Sequence, residues 1–167
     1  MSSPRNGESS VLVALRVKAS PERAFDIFTQ EIGAWWRPDR LFQITPHGDG
    51  ALSFEGGEGG RLVTRLADGE IFEIGKVTEW RRGEKLAFVW RPATLAEALA
   101  TRVEVSFEAV GEETRVSVRH FGWLEIPRDH VIRHHFPDMA TQARVADWWR
   151  RSLDAFEGEF ERRPMTS

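Results

Sequence analysis

The chain opens on polar and charged residues and then becomes apolar, with a run of β-branched side chains that predicts a strand over residues 11–17. Ser20 and Pro21 follow, a pair typical of a helix N-cap and first helical position. Apolar residues at helical spacing then predict a helix. Residues 30–36 predict a second short helix, which Pro38 prevents from continuing.

From about residue 51 to residue 121 the pattern changes to short apolar segments separated by turn residues, among them Asp68-Gly69 and Arg82-Gly83. Segments of this length and spacing predict a meander of antiparallel strands. The predicted strands cover residues 52–54, 61–66, 71–80, 85–91, 102–109 and 114–121.

The last two predicted strands can be aligned by their side chains if residues 110–113 form the loop. In that register one face is apolar and the other pairs opposite charges, and a shift by one residue would lose both patterns. The predicted pairs are Phe107 with Val116, Val105 with Val118, Val103 with His120, Glu108 with Arg115, and Glu104 with Arg119.

The C-terminal part predicts one long helix over residues 138–161, capped by Asp138 and about 36 Å long at 1.5 Å per residue. Apolar and amphipathic side chains recur at steps of three and four and form one stripe. The stripe consists of Gln142, Ala146, Trp149, Leu153, Phe156 and Phe160. We therefore expect one domain over residues 11–161, between loose tails at residues 1–10 and 162–167.

The composition and net charge reduce the number of candidate functions. The chain has 167 residues, a formal net charge of -3 and interspersed acids and bases, so we expect neither nucleic acid nor a membrane as a partner. No cysteine is present, which excludes disulfides and thiolate chemistry, and no apolar run approaches the roughly 20 residues of a spanning helix. We expect a cytoplasmic protein. Seven Trp and eleven Phe with no Tyr suit an apolar interior or pocket better than acid–base chemistry.

Four local motifs occur in an order that resembles the SRPBCC superfamily, the START- and Bet v-like helix-grip proteins. They are Gly59-Gly60-Arg61, Asp68-Gly69-Glu70 with Gly75-Lys76-Val77-Thr78-Glu79-Trp80, Lys85-Leu86-Ala87-Phe88-Val89-Trp90, and Arg119-His120-Phe121-Gly122-Trp123-Leu124-Glu125. Within that superfamily residues 11–160 are similar to activators of heat-shock protein 90 ATPase, which are close in fold to polyketide cyclases. The resemblance implies an α+β helix-grip fold, in which a curved antiparallel sheet wraps a long C-terminal helix and two short helices follow the first strand.

The chain departs from that family pattern in two places. Arg81-Arg82-Gly83 stands where relatives often have Pro-Pro, and Trp148-Trp149 stands where they have Gly-Trp. The second change adds bulk beside the family's cavity, so we expect a smaller or differently shaped pocket.

His120 is the most informative polar residue, because the aligned hairpin puts it on an apolar face. It is a candidate general base or orienting group, while the alternative is a core histidine whose nitrogens are bonded to neighbours. His130, His134 and His135 include a pair four residues apart, but no acidic ligand has a diagnostic spacing. We expect no metal and no cofactor.

We expect the side chains that line a pocket between the final helix and the sheet to be mostly aromatic or branched apolar. They are Trp35, Trp36, Phe88, Trp90, Val103, Val105, Phe107, Val118, His120, Trp123, Trp149 and Leu153. The leading hypothesis is a protein that binds a small hydrophobic or aromatic molecule there. Two alternatives implied by the resemblance remain: an activator of the heat-shock protein 90 chaperone ATPase, and a polyketide cyclase or hydrolase that uses His120. The resemblance also allows a homodimer.

Overall fold

The computed structural model describes residues 10–37, 51–66, 68–91, 101–126, 129, 133 and 136–162. In these ranges a curved antiparallel sheet wraps a long C-terminal helix, which is the helix-grip arrangement that the sequence predicts. The strands are β1 (Ser10–Val17), β2 (Ala51–Glu55), β3 (Arg61–Arg65), β4 (Ile71–Arg81), β5 (Lys85–Trp90), β6 (Thr101–Val110) and β7 (Glu113–Phe121). The helices are α1 (Pro21–Gln30), α2 (Ile32–Trp35) and α3 (Asp138–Arg162), and residues Trp123–Glu125 form a 3-10 turn.

The seven described strands form one sheet in the order β1-β7-β6-β5-β4-β3-β2. The first strand therefore closes against the last, and β1 and β2 are the edges of the described sheet. Every pair predicted for the β6–β7 hairpin is observed, from Glu108 with Arg115 to Val103 with His120. The turn is tighter than predicted, because Val110 and Glu113 pair with each other and leave only Gly111 and Glu112 between the strands.

The helix starts follow from local chemistry. The Ser20 side chain accepts a hydrogen bond from the Arg23 N–H at 3.2 Å, and Pro21 is the first residue of α1, as predicted. At α3 the predicted cap is wrong. The Thr141 N–H bonds to the Pro137 carbonyl, which places Asp138 inside the first turn, where its carboxylate bonds to a guanidinium instead.

Other differences concern element ends. The second helix is one turn, Ile32–Trp35, rather than the predicted residues 30–36. Ser10 and Arg162, assigned to the tails by the sequence, are the first residue of β1 and the last of α3. Strand β6 begins at Thr101 rather than Arg102, which matters for the site.

Gly75 allows β4 and β5 to approach closely. A Cβ built on Gly75 would overlap the carbonyl oxygen of Val89 in β5. The Arg91 N–H also bonds to the Ile74 carbonyl at 3.0 Å beyond the end of β5. The close approach holds β4 against the C-terminal end of β5, where the Trp90 side chain lies on the concave face.

The core lies between that concave face and the helices. Under α1, Phe25 and Phe28 pack on Phe107 with ring centroids 5.2 and 5.8 Å apart. Along α3, Leu153 and Phe156 are fully buried. The predicted helix stripe therefore faces the sheet. No helix in the described part of the chain has the length and apolar character needed to cross a membrane.

Candidate functional site

The candidate site is the part of the concave face where His120 lies. Strand β7 positions its ring opposite Val103 and Val11, and the α3 helix covers it with Trp149. The side chain is completely buried, and this burial lowers its pKa from 6.5 to about 3. The imidazole is therefore neutral at physiological pH.

The hydrogen bonds of His120 define its tautomer. The indole N–H of Trp149 donates to His120 Nδ1 at 3.0 Å, and an indole nitrogen can only donate. The ring proton must then be on Nε2, which lies 2.8 Å from the Thr101 hydroxyl oxygen. The Thr101 hydroxyl in turn donates to the Trp90 carbonyl at 2.8 Å. The three hydrogen bonds therefore run in one direction: from Trp149 to His120, from His120 to Thr101, and from Thr101 to the Trp90 carbonyl.

This arrangement bears on the two interpretations of His120. A general base needs a lone pair free to accept a proton from substrate, and the lone pair on Nδ1 is already used by Trp149. In the described geometry His120 can orient its neighbours, and it could act as a base only if Trp149 moved away. The catalytic assignment remains a prediction, while the observed bonds are those of the core-histidine alternative.

Indole rings surround this hydrogen-bonded chain. Trp36 lies 5.3 Å from Trp90, 5.3 Å from Trp148 and 5.2 Å from Trp149 between ring centroids, and Trp123 lies 5.4 Å from His120. Trp36 is the most exposed of these side chains, at 9%. It lies immediately after α2, where the backbone has become extended.

The predicted lining residues divide into two groups, and all of them are buried. Trp36, Trp90, Trp123 and Trp149 gather around His120. Other members lie deeper or further along the sheet. Trp35 packs on Phe28 and Phe156, Phe107 packs under α1, and Phe88 packs on Phe54 of β2. Val103, Val105, Val118 and Leu153 are fully buried members of the same core.

Sequence reasoning missed several residues of the site. Thr101 lies two residues before Val103 and so on the same face, but the strand was started one residue too late to include it. Trp148 was treated only as extra bulk, yet it packs on both Trp36 and Trp90, and its indole N–H bonds to the Arg37 carbonyl at 3.2 Å.

Arg133 is a second buried polar centre, at the start of α3. It is 1% exposed, and its guanidinium donates to Thr141 Oγ1 at 3.0 Å, to the Ile126 carbonyl at 2.8 Å, to the Phe136 carbonyl at 3.1 Å and to Asp138 at 2.9 Å. It lies in a stretch without a periodic pattern, so no sequence signal identified it. Its contacts hold the first turn of α3 to the chain that precedes it.

Two buried donors on the concave face lack a hydrogen-bond partner within the described residues: the indole N–H of Trp90 on β5 and the hydroxyl of Thr64 on β3. Both side chains are fully buried. Thr64 shares its face with Leu62, a member of the main core. A buried donor without an acceptor costs about 1–3 kcal/mol, so such groups need an explanation.

His130, His134 and His135 lie outside the described residues. Within the described ranges, no three His, Cys, Asp or Glu side chains come together as a metal site would require. Surface grooves lined by described residues lie away from the indoles around His120. One lies at the start of α1 and another runs along β1.

Comparison with known families identifies the family to which the chain belongs. The sequence profile of the family described as "Activator of Hsp90 ATPase homolog 1-like protein" matches residues 18–161. The chain belongs to this family. Among curated protein sequences none is significantly similar to it.

Solved structures agree with the family in fold. Protein MLL2253 from Mesorhizobium loti is 16% identical with a TM-score of 0.65, over 94% of this chain and all of that one. An Aha1 dimer from Colwellia psychrerythraea is 20% identical with a TM-score of 0.60, over 89% of this chain and 93% of that one. An HSP90 activator from Plasmodium falciparum is 19% identical with a TM-score of 0.60, over 91% and 96% of the two chains.

Proposed function

We propose that this member of the family binds a small, planar, mostly apolar molecule that carries a hydrogen-bond acceptor, between α3 and the concave face of the sheet. The observation that carries the proposal is the buried indole N–H of Trp90, which has no acceptor among the described residues. A ligand carbonyl or ether oxygen is the group that such a donor would bind. The proposal includes a cytoplasmic location and a single domain over residues 11–161.

The shape of the expected ligand follows from Trp36. Its bicyclic ring is packed by Trp90, Trp148 and Trp149, each with its centroid 5.2–5.3 Å away. The space that the Trp36 indole fills would also accommodate a flat aromatic ring of similar size from a ligand. Because Trp36 is the least buried of the four and follows a one-turn helix, we propose that a ligand enters by displacing it.

The driving force would be apolar burial at about 25 cal/mol per Å², with the hydrogen bond to Trp90 supplying orientation and about 0.5–1.5 kcal/mol. The remaining predicted lining residues then support the site from behind. Val103 and Leu153 are part of the same buried core, and Trp149 is held in place by its hydrogen bond to His120.

The test uses a matched pair of probes, 1-tetralone and tetralin, which differ by one carbonyl. Titration followed by tryptophan fluorescence and calorimetry should show saturable binding of both, with 1-tetralone tighter. In Trp90→Phe the advantage of the ketone should disappear, whereas in Trp80→Phe it should persist, because the Trp80 ring packs on Phe25 and Phe54 instead.

The entry route has its own variant. Trp36→Ala should bind tetralin more tightly than the native chain, since the ligand no longer has to displace an indole. Absence of saturable binding to the native chain at the solubility limit of both probes would refute the proposed function. Unchanged affinity in Trp36→Ala would place the ligand elsewhere.

A second candidate is supported by the family itself. The family description names an activator of Hsp90 ATPase, and one structural neighbour is an HSP90 activator. If this chain has that role, adding it to an Hsp90 chaperone should raise the rate of ATP hydrolysis in proportion to complex formation. An unchanged rate together with no complex by sedimentation would remove this candidate and leave the ligand-binding proposal intact.

A further inference from the structure

The first strand presents an open backbone edge. In the described part of the chain β1 pairs with β7 on one side only. On its other side lies a groove of about 420 Å³, lined by the four consecutive residues 12–15 together with Arg150, Leu153 and Asp154 of α3. Successive side chains of a strand point to opposite faces, so a groove that touches four in a row follows the backbone itself.

This edge lacks the features that usually protect one. It is eight residues long, has no proline, and pairs with β7 in an unbroken register, so no bulge bends it away. Arg16 is its only charged residue. On its outer face Leu12 is 50% exposed and Ala14 is exposed as well. An edge of this kind is suited to accept an added strand.

The helix beside the groove carries one positive and one negative group. Arg150 and Asp154 both line it, both are exposed, and neither has an ion-pair partner within the described ranges. The positive and the negative group lie one helical turn apart. When two copies are related by a two-fold axis, such a surface can face its own copy with opposite charges in contact. Each Arg150 would then meet the Asp154 of the other copy.

We propose that β1 pairs antiparallel with β1 of a second copy of this chain, which joins the two sheets at their edges and sets the two α3 helices side by side. The two-fold axis is perpendicular to the sheet, so each face of one sheet continues into the same face of the other. Residues that oppose each other across the junction must therefore lie on the same face.

That condition requires the axis to pass through a residue rather than between two. The registers that pair the greatest length of β1, Ser10–Val17, are those with the axis through its two central residues, Val13 and Ala14. The Val13-centred register sets exposed Leu12 opposite Ala14 of the second copy, twice, and so covers both apolar side chains. The Ala14-centred register would set Leu12 opposite Arg16. We assign the first register, because it buries the exposed leucine against an apolar neighbour.

The experiment measures the mass of the full chain by sedimentation equilibrium over a range of concentrations. The native chain should be a dimer. Arg150→Asp and Asp154→Arg should each weaken it by about tenfold or more, because each sets like charges against one another, and the double variant should restore it.

The neighbouring pair Asp147 and Arg151 gives a matched control, since these two residues are exposed, bond to each other at 3.2 Å and do not line the groove. Exchanging them should leave the dimer unchanged. A monomeric native chain at every concentration would overturn the proposal, and so would a dimer that survives both single charge reversals and Leu12→Lys.

The register can be tested by crosslinking because the chain has no cysteine. A mixture of Leu12→Cys and Ala14→Cys copies should form an intermolecular disulfide on mild oxidation, since opposed residues have Cα atoms about 4.5–5.5 Å apart. Each variant alone should crosslink far less. Copies with Cys in place of exposed Thr78 on β4 serve as the control. Preferential crosslinking of Leu12→Cys with itself would contradict the assigned register.

Discussion

The indole N–H of Trp149 donates to Nδ1 of His120 at 3.0 Å, and this one bond determines which ring nitrogen carries the proton. It makes Nε2 the donor toward Thr101, whose hydroxyl then bonds to the Trp90 carbonyl. The helix, the last strand and the two strands before it are thereby connected through side chains at the candidate site.

Replacing Thr101 should show how much this connection stabilises the fold. Thr101→Val leaves the buried Nε2 donor of His120 without a partner and removes the side-chain bond to the Trp90 carbonyl, and should lower the free energy of unfolding by about 1–3 kcal/mol. Thr101→Ser keeps the hydroxyl and should lose less. Chemical denaturation measures both. Thr78→Val, on the exposed side of β4, should change stability by no more than about 0.5 kcal/mol. Equal losses at the two threonines would contradict the hydrogen-bond assignment.

The depressed pKa of His120 makes stability depend on pH. Burial lowers its pKa from 6.5 to about 3, so between these values the unfolded chain binds a proton that the folded chain does not. The free energy of unfolding should therefore fall as the pH drops below 6.5, by up to about 1.4 kcal/mol per pH unit from this group. His120→Gln should remove that contribution. The comparison is the difference in stability between pH 7 and pH 5, native against variant. Identical pH dependence in the two chains would show that the ring titrates normally.

Arg133 should anchor the start of α3. Arg133→Met keeps the length of the side chain but leaves the Ile126 and Phe136 carbonyls without their donor, and should cost about 2–3 kcal/mol. The Asp138 carboxylate also loses its donor, but it is exposed and can bond to water. Hydrogen exchange should become faster at the first turn of α3. Arg151→Met is the control, because its ion pair with Asp147 is exposed and should contribute no more than about 0.5 kcal/mol. Equal effects at the two arginines would refute the anchoring role.

The two glycines Gly75 and Gly158 should respond in opposite ways to the same substitution. Gly75→Ala places a Cβ against the Val89 carbonyl and must push β5 away from β4, so a loss of at least about 2 kcal/mol is expected. Gly158→Ala has open space around it inside α3 and should stabilise the protein by about 0.5–1 kcal/mol. Thermal unfolding of both variants gives the comparison. A neutral Gly75→Ala would mean that the strands are further apart than described.

Some parts of this structure could be predicted from the sequence because they follow from the pattern of apolar and charged residues within one segment. The β6–β7 register was predictable since Glu108 opposite Arg115 and Val105 opposite Val118 satisfy the two faces of the hairpin at once. The burial of Trp149 and Leu153 was predictable from the helical stripe. In each case the spacing of the apolar residues, every second residue in a strand or every 3.6 residues in a helix, indicated which side chains are buried.

Other parts depended on contacts between segments far apart in the chain. Thr101 and His120 are 19 residues apart, and Trp149 lies a further 29 residues on, so no local spacing indicates that they form one hydrogen-bonded chain. Arg133 lies in a stretch with no period at all. The division of the expected lining residues into a group around His120 and others further along the sheet, such as Phe88 and Phe107, likewise depends on the curvature of the sheet, which periodicity does not fix.

The indole N–H of Trp90 gives the most direct test of the proposed function. In a ¹⁵N spectrum the seven tryptophans give separate indole signals, and Trp90→Phe identifies the one that matters. Adding 1-tetralone should move the Trp90 signal downfield in a saturable way as the proton gains an acceptor. The signal of Trp149, already bonded to His120, should move much less. Adding tetralin should not produce the same downfield shift. A Trp90 signal that stays in place while 1-tetralone reaches its solubility limit would contradict the account.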